Sequence, residues 1–309
     1  MSNNKKFMDI NELENILRDL IKYYKISKVD IGALEPFMHP NIIELLHKLE
    51  NLGLNYSITT NGSMLFKYIK QLKQLKNLIK IRISFYSLDE DFFNLMSRSV
   101  HFKDVCKSIM EAKNNNLPIE LNCLVLKGFE NHMLDVIDFA IKNNFKLKIY
   151  NLYYMPQYKE LFEKYFISSN EILELIKSKY QNIEMNIKEY KDKRNRVFLD
   201  FENIEVVIKE DRNLRRDNKY CKNCQYIDSC KEEFAEYMRV DPDFYFYPCY
   251  LRKDLRFNLK DEKILKNLKN FNKGINIRLI ISAVCNFRCS FPEGKMWCLK
   301  QGGNYIWKK

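Results

Sequence analysis

At 309 residues, 46% hydrophobic and 30% charged, the chain can bury a full core and is not of disordered composition. It holds no apolar run near the roughly 18 residues a membrane helix needs, and its polar start, Met1 to Lys6, lacks an apolar export segment; a cytoplasmic protein with no membrane partner is expected. The net charge of +12 comes from 52 Lys and Arg interleaved with 40 Asp and Glu, with only short basic clusters at Lys191–Arg196 and Arg212–Arg216; this argues against a nucleic-acid partner, although a phosphate-bearing small substrate would use the same charges.

Leu13, Ile16, Leu17, Leu20 and Ile21 recur at helical spacing, with Asn11 as the expected cap. A short strand follows at Val29-Asp30-Ile31, then an amphipathic helix from Ile42 to Leu52 and a strand from Asn55 to Thr59. Leu65 to Leu75 reads as helix and Ile79 to Ser84 as strand. Phe102 to Ala112 reads as helix, Ile119 to Leu126 as strand, Met133 to Ile141 as helix and Phe145 to Tyr150 as strand. Such alternation implies a parallel sheet wrapped by helices. Five strands are visible in this stretch, and a sixth is needed ahead of the first helix. Tyr153, Tyr154 and Tyr158 either line a substrate pocket or sit in core. A helix near Glu171 to Tyr180 is expected next, then a β-hairpin from Arg196–Asp200 and Ile204–Ile208. Far along the chain, Ile275 to Ile281 reads as a strand and could supply the missing sixth.

Nine cysteines is an odd count, and most are clustered. Disulfide frameworks suit small secreted domains, so metal or iron–sulfur ligation is the better reading. Cys106 and Cys123 lie in apolar patterns and are expected to be small core residues. Two residues between Cys221 and Cys224 let both sulfurs reach one centre. Cys230 and Cys249 complete a four-thiolate set, which by spacing alone also suits zinc. Tyr237–Val240 and Phe244–Tyr247, around Asp241-Pro242-Asp243, read as a hairpin before Cys249.

Cys285 and Cys289, just after the apolar strand, resemble the opening of the cluster loop of the radical S-adenosylmethionine (SAM) superfamily. Gly32-Ala33-Leu34-Glu35-Pro36 resembles the "GGEP" loop of its MoaA-type members. Thr59-Thr60-Asn61-Gly62 resembles the next loop, and Ser84 with Ser87-Leu88-Asp89 the one after. Ser97-Arg98, Asn122 and Gly128 to Asn131 continue the order, so the resemblance covers essentially the whole chain. It implies an α/β fold: a partial (β/α)6 TIM-like barrel with a small β-hairpin auxiliary iron–sulfur domain, of the twitch or SPASM type of MoaA-like and TunB-like proteins. SAM would bind at the carboxyl ends of the strands. Gly32, Glu35, Asn61, Ser84, Arg98, Asn122 and Phe291 stand at the implied cofactor-binding positions. Two 4Fe–4S clusters are implied, one binding SAM at Cys285 and Cys289, and one auxiliary at Cys221, Cys224, Cys230 and Cys249.

The chain also departs from the family pattern. Pro292 stands where the third cysteine of the cluster loop belongs, and Cys298 is the nearest substitute. Ala33 and Leu34 replace the paired glycines, which matters where backbone must approach a ligand closely. The spacing of the second cysteine group differs from true MoaA, so GTP cyclisation is not implied. The strand and cluster loop come last instead of first, so the chain reads as a circular permutant or as a truncated copy fused to the start of a second. The expected division is a barrel over 1–160, an auxiliary domain over 181–270, and the permuted first strand and loop over 274–309.

The implied activity is reductive cleavage of SAM at a cluster whose three thiolates leave one iron open. The resulting 5′-deoxyadenosyl radical would modify a small-molecule or peptide substrate, with electrons from an external donor such as flavodoxin or ferredoxin. The alternative is a non-catalytic iron–sulfur or zinc protein that retains the fold, motivated by Pro292.

Overall fold

The structure, a computed structural model, describes residues 5–180, 196–201, 204–209, 219–227, 230, 237–249, 251–252, 254–268, 276–286, 300–301 and 304–305. After a short strand β1 (Lys5–Phe7), helix α1 (Ile10–Tyr23) begins at Asp9, whose carboxylate accepts from the N–H groups of Asn11 and Glu12 at 2.9 and 3.1 Å. The cap is therefore Asp9, not Asn11, because the buried stripe already starts at Ile10. The alternating series then runs β2 (Lys25–Gly32), α2 (Ile42–Asn51), β3 (Tyr56–Thr60), α3 (Ile69–Leu72) and β4 (Leu78–Ser84). It continues with α4 (Glu90–Ser97), α5 (Phe102–Asn114), β5 (Ile119–Leu124), α6 (Glu130–Asn143) and β6 (Lys146–Tyr150). Each strand from β2 to β6 pairs in parallel with the next.

Two local expectations change. Leu65, Ile69 and Leu72 are buried, but the segment splits into a 3-10 turn at Leu65–Lys67 and the single turn of α3. Ser108 of α5 pins its start, accepting from the Phe66 N–H at 3.0 Å and donating to the Gly62 carbonyl at 2.6 Å. The sequence pattern did not reveal α4, because this helix buries just Phe93 and Met96, too few apolar residues for a periodic signal.

Beyond β6 come α7 (Lys159–Tyr165) and α8 (Ser169–Lys179), the latter opened by a capping box between Ser168 and Glu171. The expected hairpin forms as β7 (Arg196–Phe201) and β8 (Ile204–Lys209), and β8 lies parallel to β6, so it prolongs the barrel sheet. A second hairpin, β9 (Met238–Val240) and β10 (Tyr245–Tyr247), turns on Asp241, whose Oδ1 accepts from the N–H groups of Asp243 and Tyr245. The chain continues through β11 (Phe257–Asn258), α9 (Glu262–Lys266), β12 (Asn276–Ser282) and β13 (Val284–Asn286).

β12 inserts between β2 and β9, parallel to both, with Leu279 opposite Val29 and Ser282 opposite Gly32. The order of the eleven-stranded sheet is β11-β10-β9-β12-β2-β3-β4-β5-β6-β8-β7. The late strand thus occupies the place ahead of β2. β1 pairs antiparallel with β13, setting Lys6 opposite Cys285, and the Met8 N–H donates to the Ala283 carbonyl at 3.0 Å.

Residues alternate along the strands, and the two faces differ. Val29, Ile31, Ile58, Ile81, Leu121 and Ile281 are buried on the helix-covered face. The other face carries an ionic layer. Arg82 Nη1 lies 3.0 Å from Asp30 Oδ1 and 2.9 Å from Ser57 Oγ, and its Nε lies 3.3 Å from Glu120 Oε1. Lys28 pairs with Asp30 at 2.9 Å, Lys80 pairs with Glu120, and Ser57 donates to Asp30. Burial pushes both carboxyls up, but the adjoining cations prevail and hold Asp30 and Glu120 below the ordinary carboxylate range. Cys123 is fully buried and Cys106 packs half-buried against the core, as expected of small apolar residues; burial pushes the Cys123 thiol up to about 12. Tyr153 is exposed, while Tyr154 packs edge-on against Phe162. Among the described residues no helix is long and apolar enough to cross a membrane.

Replacing the buried Ile281 by alanine should cost about 3 kcal/mol in urea unfolding; a loss under about 1 kcal/mol would show that β12 is not packed into the core. The depressed carboxyls contribute stability that is present above about pH 4 and is lost as pH falls through their folded-state values. Arg82→Met should cost roughly 2 kcal/mol at neutral pH, since Lys28 and Lys80 still partner the two carboxylates, and should flatten the acid limb of the stability curve.

Candidate functional site

The site is built from the loops that follow the strands. After β2, Ala33 and Leu34 both take left-handed backbone angles, φ 56° and 50°. Each costs about 1 kcal/mol for a residue with a side chain, so the turn needs support from its surroundings. Glu35 sustains it. Its carboxylate accepts from the Phe37 N–H at 3.1 Å, the Thr60 hydroxyl at 2.7 Å and the Asn61 N–H at 2.7 Å, latching this loop to the one after β3. Glu35 is 4% exposed, and burial raises its carboxyl despite the three donors. The Glu35 side chain therefore acts on the loops themselves. The flanking Leu34 side chain is half exposed.

After β3, Asn61 is exposed and its Oδ1 accepts from the Ser63 N–H and hydroxyl. Gly62 sits at φ 81°, and a Cβ there would stand 2.9 Å from Ile83 Cγ2; the turn admits no larger residue without a shift. Ser84, the last residue of β4, lies in register with Asn122 of β5. Among the described residues, Asn122 Oδ1 is buried without a hydrogen-bond partner, as are Asn94 Oδ1 and Asn151 Nδ2. An orphaned acceptor on the inner face at the carboxyl end of β5 is what a hydrogen-bonding cofactor such as SAM would satisfy, so the residues fit that group. Arg98 ends α4 in a left-handed cap at φ 54°.

Two residues escaped the sequence reading. Asn151, just past β6, is 8% exposed. His132, in the first turn of α6, lies 2.8 Å from the Ser87 hydroxyl by its Nδ1 and stacks on Phe92 with ring centroids 3.7 Å apart. Neither belongs to a motif; a polar residue directly after an apolar strand was the only available signal for Asn151.

The cysteines divide unevenly. Cys285 lies on β13, whose backbone is described, whereas Cys289, Phe291 and Cys298 lie outside the described residues. Cys221, Cys224, Cys230 and Cys249 are half-buried and form no disulfide among the described residues. Cys221 and Cys224 share a turn, the Cys224 N–H donating to the Cys221 carbonyl at 3.0 Å. The Cys249 thiol is raised by burial, while the backbone N–H groups of Arg252 and Leu251 work against that, and Cys221 and Cys224 lie near enough to act on it electrostatically. Arg252 also reaches the Cys224 sulfur. Among the described residues no three His, Cys, Asp or Glu side chains converge closely enough to hold a metal ion. The donor chemistry, soft thiols flanked by N–H groups and a guanidinium, nonetheless suits an iron–sulfur cluster.

Comparison with known proteins bears on the whole arrangement. Residues 1–140 match the radical SAM superfamily. The probable GTP 3′,8-cyclase of Methanothermobacter thermautotrophicus is 25% identical over 257 residues, 82% of this chain and 77% of that protein. Its counterpart in Methanococcus aeolicus is 27% identical over 276 residues, 87% of this chain and 83% of that protein. Streptococcus suis SuiB bound to S-adenosylmethionine shares the fold, with a TM-score of 0.59, 15% identity and 86% of this chain covered. The chain spans 59% of the length of that protein. The anSMEcpe structure with bound AdoMet has a TM-score of 0.52 and 16% identity, covering 86% of this chain and 69% of that one. A parallel sheet with loops in this order, a family model that matches residues 1–140 and relatives along most of its length agree on one point: the chain is similar to proteins of the radical SAM superfamily.

Proposed function

We propose that this protein is a radical SAM enzyme that cleaves SAM reductively and turns the product on a bound substrate. One observation carries the reading: β12 lies in parallel register with β2, so Ser282 faces Gly32 and the strand bearing Cys285 stands beside the Gly32–Glu35 loop. When bound, a 4Fe–4S cluster supplies the single electron that breaks the carbon–sulfur bond of SAM. Cys285, Cys289 and Cys298 would hold it. Glu35 fixes the backbone of Ala33 and Leu34, and Asn122 offers its unpaired acceptor to a donor group of SAM. Asn61 follows β3, Ser84 ends β4 and Arg98 caps α4, and these would complete the SAM contacts. Cys221, Cys224, Cys230 and Cys249 would hold an auxiliary cluster, with zinc as the rival occupant.

The inner face bears on the substrate. Lys28, Lys80, Arg82 and Lys148 surround Asp30 and Glu120, and the register adds Arg278 opposite Lys28 on the same face. A partly buried excess of positive charge favours an anionic small molecule over a neutral peptide. The relatives named GTP 3′,8-cyclase fit that preference, whereas the SuiB complex with the precursor peptide SuiA represents the other class. Electrons would come from an external flavodoxin or ferredoxin.

The second reading is a non-catalytic iron–sulfur or zinc protein, favoured by Pro292 at the third-cysteine position. Anaerobic reconstitution with iron and sulfide separates the two. The enzyme should take up about eight irons per chain, two clusters' worth, and release 5′-deoxyadenosine from SAM under dithionite, and Cys298→Ala should abolish that release. About four irons, or a single zinc, with no release would establish the second reading. Leu34→Gly relieves a left-handed side-chain residue that buries little area, so it should stabilise the protein by about 1 kcal/mol in thermal unfolding; a destabilised variant would show that Leu34 is packed.

A further inference from the structure

We infer that His132 is a positioning residue for the SAM site, acting through Ser87 to hold the segment that joins Ser84 to Arg98; this rests on the radical SAM reading above. Ser84 ends β4 and Arg98 caps α4, so both flank the Phe85–Ser97 stretch. Within that stretch the contacts close into a ring. The Asp89 N–H donates to Ser87 Oγ at 2.8 Å, and Asp89 Oδ1 caps α4 by accepting from the Phe92 N–H at 2.7 Å. The Phe92 ring stacks on His132, 3.7 Å apart and inclined by 7°, and His132 Nδ1 returns to Ser87 Oγ at 2.8 Å. Phe92 also meets Phe129 at 5.3 Å, just ahead of α6. Ser87 is fully buried, so its hydroxyl has no solvent to fall back on. The loop after β4 and the start of α4 are therefore tied to α6 through one imidazole.

The proton inventory makes the tie conditional. Ser87 Oγ accepts from the Asp89 N–H, so the arrangement is complete when the hydroxyl donates to Nδ1 and the ring carries its proton on Nε2. Protonation turns Nδ1 into a donor, and the buried Ser87 hydroxyl then loses its acceptor. Burial lowers the His132 pKa, while the Asp89 and Asp135 carboxylates that face the ring oppose this. The neutral ring is thus the form that holds the loop. The contribution is fully present above about pH 6.5 and is lost as pH falls through the lower folded-state value.

The test uses the reconstituted holoprotein and two readouts. Hydrogen exchange at the Asp89 and Phe92 amides, corrected for intrinsic rates, should show protection at about pH 7.5 that weakens towards about pH 5. SAM affinity by equilibrium dialysis should fall over the same interval by about fivefold, the worth of one hydrogen bond. His132→Phe keeps the stacked ring without an acceptor and should be weak in both readouts at both pH values. His132→Asn, whose Oδ1 can accept but cannot titrate, should restore protection and affinity at both. Wild-type behaviour of His132→Phe in either readout would overturn the proposal, as would an unaltered pH profile in His132→Asn. A wild-type protein that shows the amide pattern but binds no SAM would instead overturn the radical SAM reading, leaving His132 a tether of this loop alone.

Discussion

The structure depends on one strand pairing. β12, encoded near the end of the chain, lies between β2 and β9 and runs parallel to both. Without it, β2 would be a sheet edge with its backbone groups unpaired, a costly state for a strand whose side chains are already buried. The pairing does two things at once. It closes the gap ahead of β2, and it delivers β13 with Cys285 to the loop that follows β2. β1 then clamps β13 from the other end of the chain, and His39 hydrogen-bonds the Met8 carbonyl at 2.9 Å, tying that clamp to the same loop region. Distant ends of the sequence thereby build one corner of the site.

Inside this frame the sheet separates two chemistries by the period of the strand. The helix-covered face is mostly apolar and supplies the core. The opposite face carries ions where a barrel of this kind needs a lining that tolerates a polar ligand. Arg82 is the centre of that layer because its planar fork reaches Asp30, Ser57 and Glu120 together, three strands from a single side chain. One step further along the strands stand the neutral groups Ser282, Gly32, Ser84 and Asn122, with Lys148 opposite Asn122. There, among the described residues, the buried Asn122 Oδ1 has no hydrogen-bond partner.

Much of this was legible beforehand. The βα alternation, the hairpin at Asp241 and the core character of Cys123 follow from short-range patterns, and the structure reproduces them. The replacement of paired glycines by Ala33 and Leu34 was visible in the sequence, but not that both residues take left-handed angles beside a loop that Glu35 latches to the next one. Other features left no mark. The segment Leu65 to Leu75 has helical spacing yet is divided, since Ser108, more than thirty residues away, takes the Phe66 N–H. α4 buries too little to register as a helix. His132 and Asn151 lie in no recognisable motif.

The sequence by itself determined most of the βα series, α4 and the divided Leu65 to Leu75 segment excepted, and which cysteines stand close enough in the chain to share a centre, because these depend on periodicity and local spacing. It also showed that a first strand was missing and that Ile275 to Ile281 could replace it. Tertiary structure alone decided the register of that strand against β2, the ionic layer across β2 to β5, and the partners of Glu35, Ser87 and Arg82. Each of those joins residues tens to hundreds of positions apart. A local pattern cannot encode such a contact, which exists only once the sheet has set the strands at hydrogen-bonding distance.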